Sequence, residues 1–396
     1  MLKKIRVDQL QTGMYVHALC GAWLSHDFWR TSFLIDKPEI LDKLQSSPIQ
    51  EVWIDPARGC DLDSPQAPAA LTAFTGDTTP SELAPELQRA ADICAQGRDA
   101  VMHMFSEARM GNALDIQTAS NLVQAICSSI ERHPDALISV ARLKTADNYT
   151  YMHSVAVCGL MVALAKKLGH SPAQITQAGL AGLLHDMGKA YSNLDILNKP
   201  GALTDTEFKH MKQHPVHGYL LLKETIEDSA VLDACLHHHE RLDGTGYPHG
   251  LPCEEIAHLT RMTSICDIYD AITSDRPYKR GWSPGVALQR MSQWCNTHLD
   301  AQIFEVFVQT IGLYPMGSLV RLESGLLGVV CAPAQNSLSA PQVAAFYHIG
   351  LRRMLRPAKL LDLEKLPNER IVAGEDPAKW PFKNLESLWQ KAHAQA

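Results

Sequence analysis

The chain has 396 residues, enough for two or three domains, with the 46% hydrophobic and 20% charged content of an ordinary globular protein. A formal net charge of -7 argues against a binder of polymeric nucleic acid, which needs a basic surplus. The charged opening MLKKIRVDQL is no secretory leader, the ten cysteines include no C-x-x-C pair, and the apolar run Ser154 to Ala165 is too short for a bilayer, so a reduced cytoplasmic setting without a membrane span is expected.

Residues 1–60 read as a small α/β module. Ile5–Val7 and Met14–Ala18 alternate as strands do, with Gln11-Thr12-Gly13 as the turn between them. Ile40–Leu44 is a short helix after Pro38, and Val52 and Ile54 face one way on a further strand. Trp23, Phe28, Trp29 and Phe33 supply bulk. His17 and His26, lone histidines beside aromatics, are assigned no chemistry. Residues 61–85, with prolines at 65, 68, 80 and 85, form a linker. Residues 86–135 turn helical: Leu87, Ala90, Ile93, Val101, Met104 and Phe105 mark one amphipathic helix that Gly111 ends, and Asp115 opens another. This connector packs on the next domain or serves as a dimer contact.

The catalytic candidate spans residues 136–317. A helix from Tyr149 to Leu168 carries His153, and Ser171-Pro172 starts a helix that ends in His185-Asp186-Met187-Gly188-Lys189. Thr204 and Glu207 form a capping box on a helix leading to His214, and Ala230–His239 delivers His238 and His239. Glu254–Ile272 reads as one long helix in which Asp267 and Asp270 interrupt an apolar run, and residues 275–280 leave it as a loop. Helices follow from Ser283-Pro284 and around Ile303–Ile311. Residues 318–396 are a short β-containing appendage: Leu319–Leu322 and Leu326–Val330 flank a turn at Glu323-Ser324-Gly325, and the pattern beyond Pro333 is weak. The fold class expected is mainly α.

Histidine carries the chemistry. Of 18, 12 fall between His133 and His258, and HHERLDGTGYP (238–248) joins two histidines and a glutamate at a helix end to a glycine-rich loop. Ordinary core packing calls for no such combination. In chain order, His153, His185, Asp186, His214, His238, His239 and Asp267 offer only imidazole and carboxylate. The lack of thiolate disfavours structural zinc and favours iron or manganese, with nickel and other first-row metals also admissible. Seven ligands exceed one ion and suit two, sharing a bridging carboxylate and hydroxide. Singly, each has a blander reading: a satisfied buried histidine for His153 or His214, a chance doublet for His185-Asp186, a pair with Arg276 for Asp267. Together, in order, those readings become improbable. Gly182–Lys189 fails as a P-loop because Gly188 comes one residue late and Ala190 replaces Ser or Thr, and Gly244-Thr245-Gly246 is no dinucleotide fingerprint.

Three blocks, LLHDMGK (183–189), HHERLDGTGYP (238–248) and ICDIYDAITSDRPYKR (265–280), resemble the HD-GYP branch of the HD-domain metal-dependent phosphohydrolases. The first 135 or so residues are similar to a region of unknown function that often precedes such domains. The resemblance implies an all-helical bundle over about 140–320 that hydrolyses the bacterial second messenger cyclic di-GMP to linear pGpG and onward to GMP. It gives metal roles to the seven ligands, with Asp186 bridging. Lys189, Arg276 and Lys279 become phosphate contacts, Tyr247 lies near the ligand, and Lys189 assists the departing oxygen. A glutamate that holds a third metal in some members is Tyr149 here, so two metals are implied. The GYP loop resembles a surface that contacts diguanylate cyclases of the GGDEF type. A weak cyclic di-GMP sensor, and a hydrolase of another cyclic dinucleotide, are the rival readings.

Overall fold

The computed structural model describes residues 3–20, 33–35, 38–46, 51–56, 58–59, 83–141, 149–197, 199, 201–275, 280–334, 337–382 and 385. It divides into two compact units, residues 1–74 and 75–396.

In the first unit β1 (Lys3–Arg6), β2 (Tyr15–Cys20), β3 (Phe33–Leu34), α1 (Pro38–Gln45) and β4 (Glu51–Ile54) form a sheet in the order β1-β4-β2-β3 with one helix. The period of two along β4 turns Val52 and Ile54 inward and Glu51 and Trp53 outward. Ile5, Val16, Ile35 and Leu44 complete the core. The turn at Gln11–Gly13 joins strands that are not neighbours, because β4 pairs with both β1 and β2. Val7 sits in a 3-10 turn after β1, buried through its side chain. Trp23, His26, Phe28 and Trp29 lie outside the described residues.

The second unit begins with α2 (Leu83–Met110), α3 (Ile116–Arg132), α4 (Pro134–Ala141), α5 (Tyr149–Lys167) and α6 (Pro172–Leu184). It continues with α7 (Leu194–Leu197), α8 (Asp205–Met211), α9 (His214–Leu222), α10 (Ser229–His237), α11 (His258–Thr273), α12 (Pro284–Trp294) and α13 (Ala301–Ile311). Helix α2 starts at Leu83, inside the stretch expected as linker. Its first turn carries buried Glu86, which accepts from Ser129 (2.8 Å) and Arg132 (2.7 and 3.0 Å) and so joins α2 to α3. Asp115, Ser171, Thr204 and Asp228 each accept a backbone N–H at a helix start, as their residue types require. Helix α5 is buried all round from Val155 to Ala165 and forms the axis of the bundle.

Two helix limits differ from the sequence reading. Helix α10 stops at His237, so His238 and His239 stand in the turn that follows. The helix expected from Glu254 is a 3-10 turn at Cys253–Glu255 and then α11 from His258. The break is held by Arg261, whose guanidinium donates to Ile256 O (2.8 Å) and Cys253 O (2.6 Å), carbonyls that a continuous helix would have used itself.

Beyond the helices β5 (Leu319–Leu322), β6 (Leu326–Ala332), β7 (Gln342–His348), β8 (Arg353–Asp362) and β9 (Ile371–Gly374) make an antiparallel sheet in the order β8-β7-β6-β5-β9. The β5–β6 hairpin is the expected one. The remaining strands make the region a five-stranded layer with its own apolar core of Val320, Val330, Val343 and Leu361, more than the short appendage the sequence suggested. Among the described residues no helix is long and apolar enough to cross a membrane.

Candidate metal centre

Helix ends bring the seven candidate ligands together around α5. His153 lies near the start of α5, His185 and Asp186 follow α6, and His214 opens α9. His238 and His239 follow α10, and Asp267 projects from the middle of α11. All but half-buried His239 are at most 6% exposed. That degree of burial is costly for carboxylates unless opposite charge meets them.

Asp186 stands between two groups. Its Oδ1 lies 3.2 Å from His214 Nε2 and 3.9 Å from His238 Nε2, while its Oδ2 lies 3.5 Å from His153 Nε2 and 3.4 Å from His185 Nε2. Asp267 Oδ1 lies 3.0 Å from His153 Nε2 and 3.8 Å from His185 Nε2, and its Oδ2 is 3.9 Å from His239 Nδ1. Ligand atoms of His214, His238 and His239 fall within 4.8 Å of one another, as do those of His153, His185 and Asp267.

The far side of the His153, His185, His214 and His238 rings is engaged, which turns their Nε2 toward the centre. Nδ1 donates to Gly182 O from His185 (2.8 Å), to Met211 O from His214 (2.7 Å) and to Cys235 O from His238 (2.9 Å). His153 Nδ1 meets Asp270 Oδ2 at 2.6 Å. His239 stacks on Tyr247 with ring centroids 4.7 Å apart. Ser264 Oγ donates to His238 O at 2.7 Å and fixes the turn that bears both histidines.

Burial acts against charge on every ring. Together with neighbouring imidazoles, it holds His238 well below the usual histidine range and brings His239 down to about 3, and it keeps His214 low as well. These rings carry lone pairs at neutral pH. Burial alone would raise Asp186 and Asp267, but Lys189 and His185 at the first, and His153 and His185 at the second, hold both carboxyls well below their ordinary values. At His185 burial is outweighed by Asp186 and Asp267, which lift it to about 10. The carboxylates demand positive charge at that point.

The residues suit cations on their own chemistry. His214 Nε2 and His238 Nε2 face each other at 3.3 Å, and with both Nδ1 atoms donating elsewhere each presents a lone pair. Two acceptors cannot bond each other. His185 Nε2 and Asp186 Oδ1 are buried without a hydrogen bond of sound geometry. Imidazole lone pairs and carboxylate oxygens converging in this way are what a divalent transition metal satisfies.

Around the centre, Lys189 Nζ reaches Asp186 Oδ2 at 2.5 Å from the 3-10 turn Met187–Tyr191. Gly188 lets that turn press on α9: a Cβ there would stand 1.8 Å from His214 O and 2.4 Å from Gly218 N. The turn is also tied to α2, where Arg109 Nε donates to Ala190 O at 3.1 Å, and Phe105 of α2 meets Tyr151 of α5 edge-on. In the loop after α10, Glu240 accepts from His249 N, Gly250 N and Leu251 N, and Asp243 accepts from Thr245 N. Both brace the turn, and neither belongs to the groups of converging ligand atoms. Gly246 comes so close to Glu240 that a Cβ would lie 2.4 Å from its Cα. Lys212 Nζ lies 5.0 Å from the Tyr247 ring centre. Arg276 and Lys279 lie outside the described residues, as does the Tyr149 side chain. Sequence reasoning noted Asp270 without giving it a role; its three-residue spacing from Asp267, one helical face, was the available signal.

Comparison with known proteins places the chain among HD-domain proteins. Residues 2–119 match the model of a domain of unknown function, DUF3391, and residues 126–303 match the HD domain. The chain is 49% identical, over 98% of its length and 96% of the other's, to a Pseudomonas aeruginosa protein named cyclic di-GMP phosphodiesterase PA4108. It is 33% identical, over 45% of its length and 42% of the other's, to a Vibrio cholerae 3'3'-cGAMP-specific phosphodiesterase 1. Among solved structures, Bd1817, an HDG"Y"P protein from Bdellovibrio bacteriovorus, shares the fold with a TM-score of 0.50 at 18% identity, covering 78% of this chain and 99% of that one.

Proposed function

This chain belongs to the HD-GYP branch of the HD-domain family, with a DUF3391 region before the HD domain, and we propose from that premise that it is a metal-dependent phosphodiesterase acting on cyclic di-GMP. The observation that carries the reading is Asp186, whose two oxygens face two sets of imidazoles that meet at His185 and His238, with Lys189 at its side. The full-length likeness to a protein named for that activity supplies the substrate.

The catalytic domain is assigned to residues 136–317. His153, His185 and Asp267 would hold one ion and His214, His238 and His239 the other, with Asp186 shared. Iron or manganese suits a set of imidazole and carboxylate without thiolate. When bound, the ions supply Lewis acidity and a water acidic enough to serve as a nucleophile at neutral pH.

The residues of the chain do the rest. Carbonyls and Asp270 keep the Nε2 lone pairs aimed inward, so no reorganisation is needed when charge develops. Lys189 offers an ammonium to the phosphoryl oxygens and a proton to the departing 3′ oxygen. Tyr247, kept as a phenol by burial and by Asp267 and Asp186, forms a neutral wall beside His239. Arg276 and Lys279 are assigned to the substrate phosphates. Attack at phosphorus opens the ring to linear pGpG, and a second cut gives GMP. The GYP loop is the surface assigned to GGDEF-type partners.

The test is direct. Protein loaded with iron, manganese or nickel is incubated with cyclic di-GMP, and the nucleotides are separated over time. Linear pGpG is expected; absence of turnover with all three metals defeats the proposal. The likeness to a cGAMP-specific relative favours a second reading, in which the hybrid cyclic dinucleotide is preferred. Equal concentrations of both substrates in one reaction decide between them.

A further inference from the structure

We propose that Asp270 is a positioning residue for His153, and that it makes the His153–His185–Asp267 group the tighter half of the centre, so that the two ions load in order. The inference rests on the reading of the site as a two-ion centre and assigns its halves different strengths.

Three rings of the centre are held through Nδ1 by backbone carbonyls, which are neutral acceptors. His153 is held by a carboxylate, at 2.6 Å, with both residues about 2% exposed. A carboxylate behind an imidazole fixes the tautomer, with the proton on Nδ1 and the lone pair on Nε2. It also makes that lone pair a stronger donor than a carbonyl can. The three-residue spacing on α11 lets one helix supply both the ligand Asp267 and the brace Asp270. Ser274, one turn on, places its hydroxyl 3.5 Å from the same Asp270 oxygen.

The charge inventory points the same way. The His153 group has Asp267 as its own carboxylate, Asp270 behind it and one oxygen of Asp186. Among the described residues, the His214 group consists of three imidazoles and the other oxygen of Asp186, with an Asp267 oxygen 3.9 Å from His239. Lys189 sits on the Oδ2 side of Asp186 and works against the first group, but among the described residues it is one ammonium beside the carboxylates of Asp267 and Asp270. In a site this buried, a divalent cation goes first to the more negative half.

Titration of metal-free protein with Mn2+, reading free ion by electron paramagnetic resonance against a chelator of known affinity, tests this without any nucleotide. Two steps are expected, the first at least tenfold tighter. Asp270→Asn keeps the shape and removes the charge; it should weaken the first step by about 10–100-fold and leave the second. Asp270→Glu should restore part of the loss, which a purely structural role would not predict. His239→Gln, in the other half, should weaken the second step alone. Melting curves of the metal-free variants check folding, and if Asp270→Asn does not fold, the parent titration and His239→Gln still decide. Two equal steps in the parent, or a first step unmoved by Asp270→Asn, overturns the inference. Two ordered steps in a protein that leaves cyclic di-GMP uncut would sustain it and defeat the substrate assignment instead.

Discussion

The helices around Asp186 and the sheet β5–β9 are stabilised by opposite means. The sheet buries Val320, Val330, Val343 and Leu361, groups that gain from leaving water one by one, so each loss is separate and graded. The helical centre buries imidazoles and carboxylates, each of which is unfavourable there unless its neighbours are present. An apolar core degrades by increments; a buried polar centre fails as a unit.

The largest effect that would test this contrast is Asp186→Ala. It removes the oxygens that face both groups, and it should abolish metal retention and lower turnover by about a thousandfold or more. Elemental analysis beside initial rates measures both, and a variant with full metal content would show the bridging assignment to be wrong. Next comes Gly188→Ala. Its methyl would collide with the His214 backbone, so the catalytic turn and α9 must part, costing about 3 kcal/mol or more in chemical denaturation, with activity lost alongside.

A polar joint away from the centre extends the comparison. Burial pushes the Glu86 carboxyl up, but Arg132, Ser129 and Arg89 outweigh it and hold it below the ordinary glutamate value. Such a group adds stability that is fully present above its unfolded pKa, roughly 4.3, and is lost as pH falls through its folded value. Glu86→Gln, which removes the carboxylate charge that Arg132 meets, should cost about 3 kcal/mol at neutral pH and should flatten the acid limb of the stability curve. The smallest effect is expected in the sheet. Val330→Ala should cost about 2 kcal/mol with turnover and metal content unchanged, and a loss of activity there would break the contrast.

The two regions also differ in how far the sequence discloses them. The seven candidate ligands that the fold brings together were legible as a set because metal coordination demands particular side chains, and the helix starts because Asp115, Ser171 and Thr204 are types that satisfy free N–H groups. Strands β7 and β8 were not. QVAAFYH is buried at Val343 through Phe346 without alternation, and β8 exposes residues on both faces, so neither shows the period of two. Their identity comes from pairing along the sheet, which no local window contains. The start of α11 was hidden because a side chain, Arg261, decides it. Asp270 was visible as a residue and silent as a role, since its partner His153 lies 117 positions away.

The bond from Arg109 to Ala190 gives α2 a mechanical meaning. Helix α2 is 28 residues long, a rod of about 42 Å at the usual rise per residue. Its first turn carries Glu86, which holds Ser129 and Arg132 of α3. Its last turn holds the carbonyl of the residue after Lys189. One helix is thus tied at its first turn to α3, through Glu86, and at its last to the turn where Asp186 and Lys189 stand.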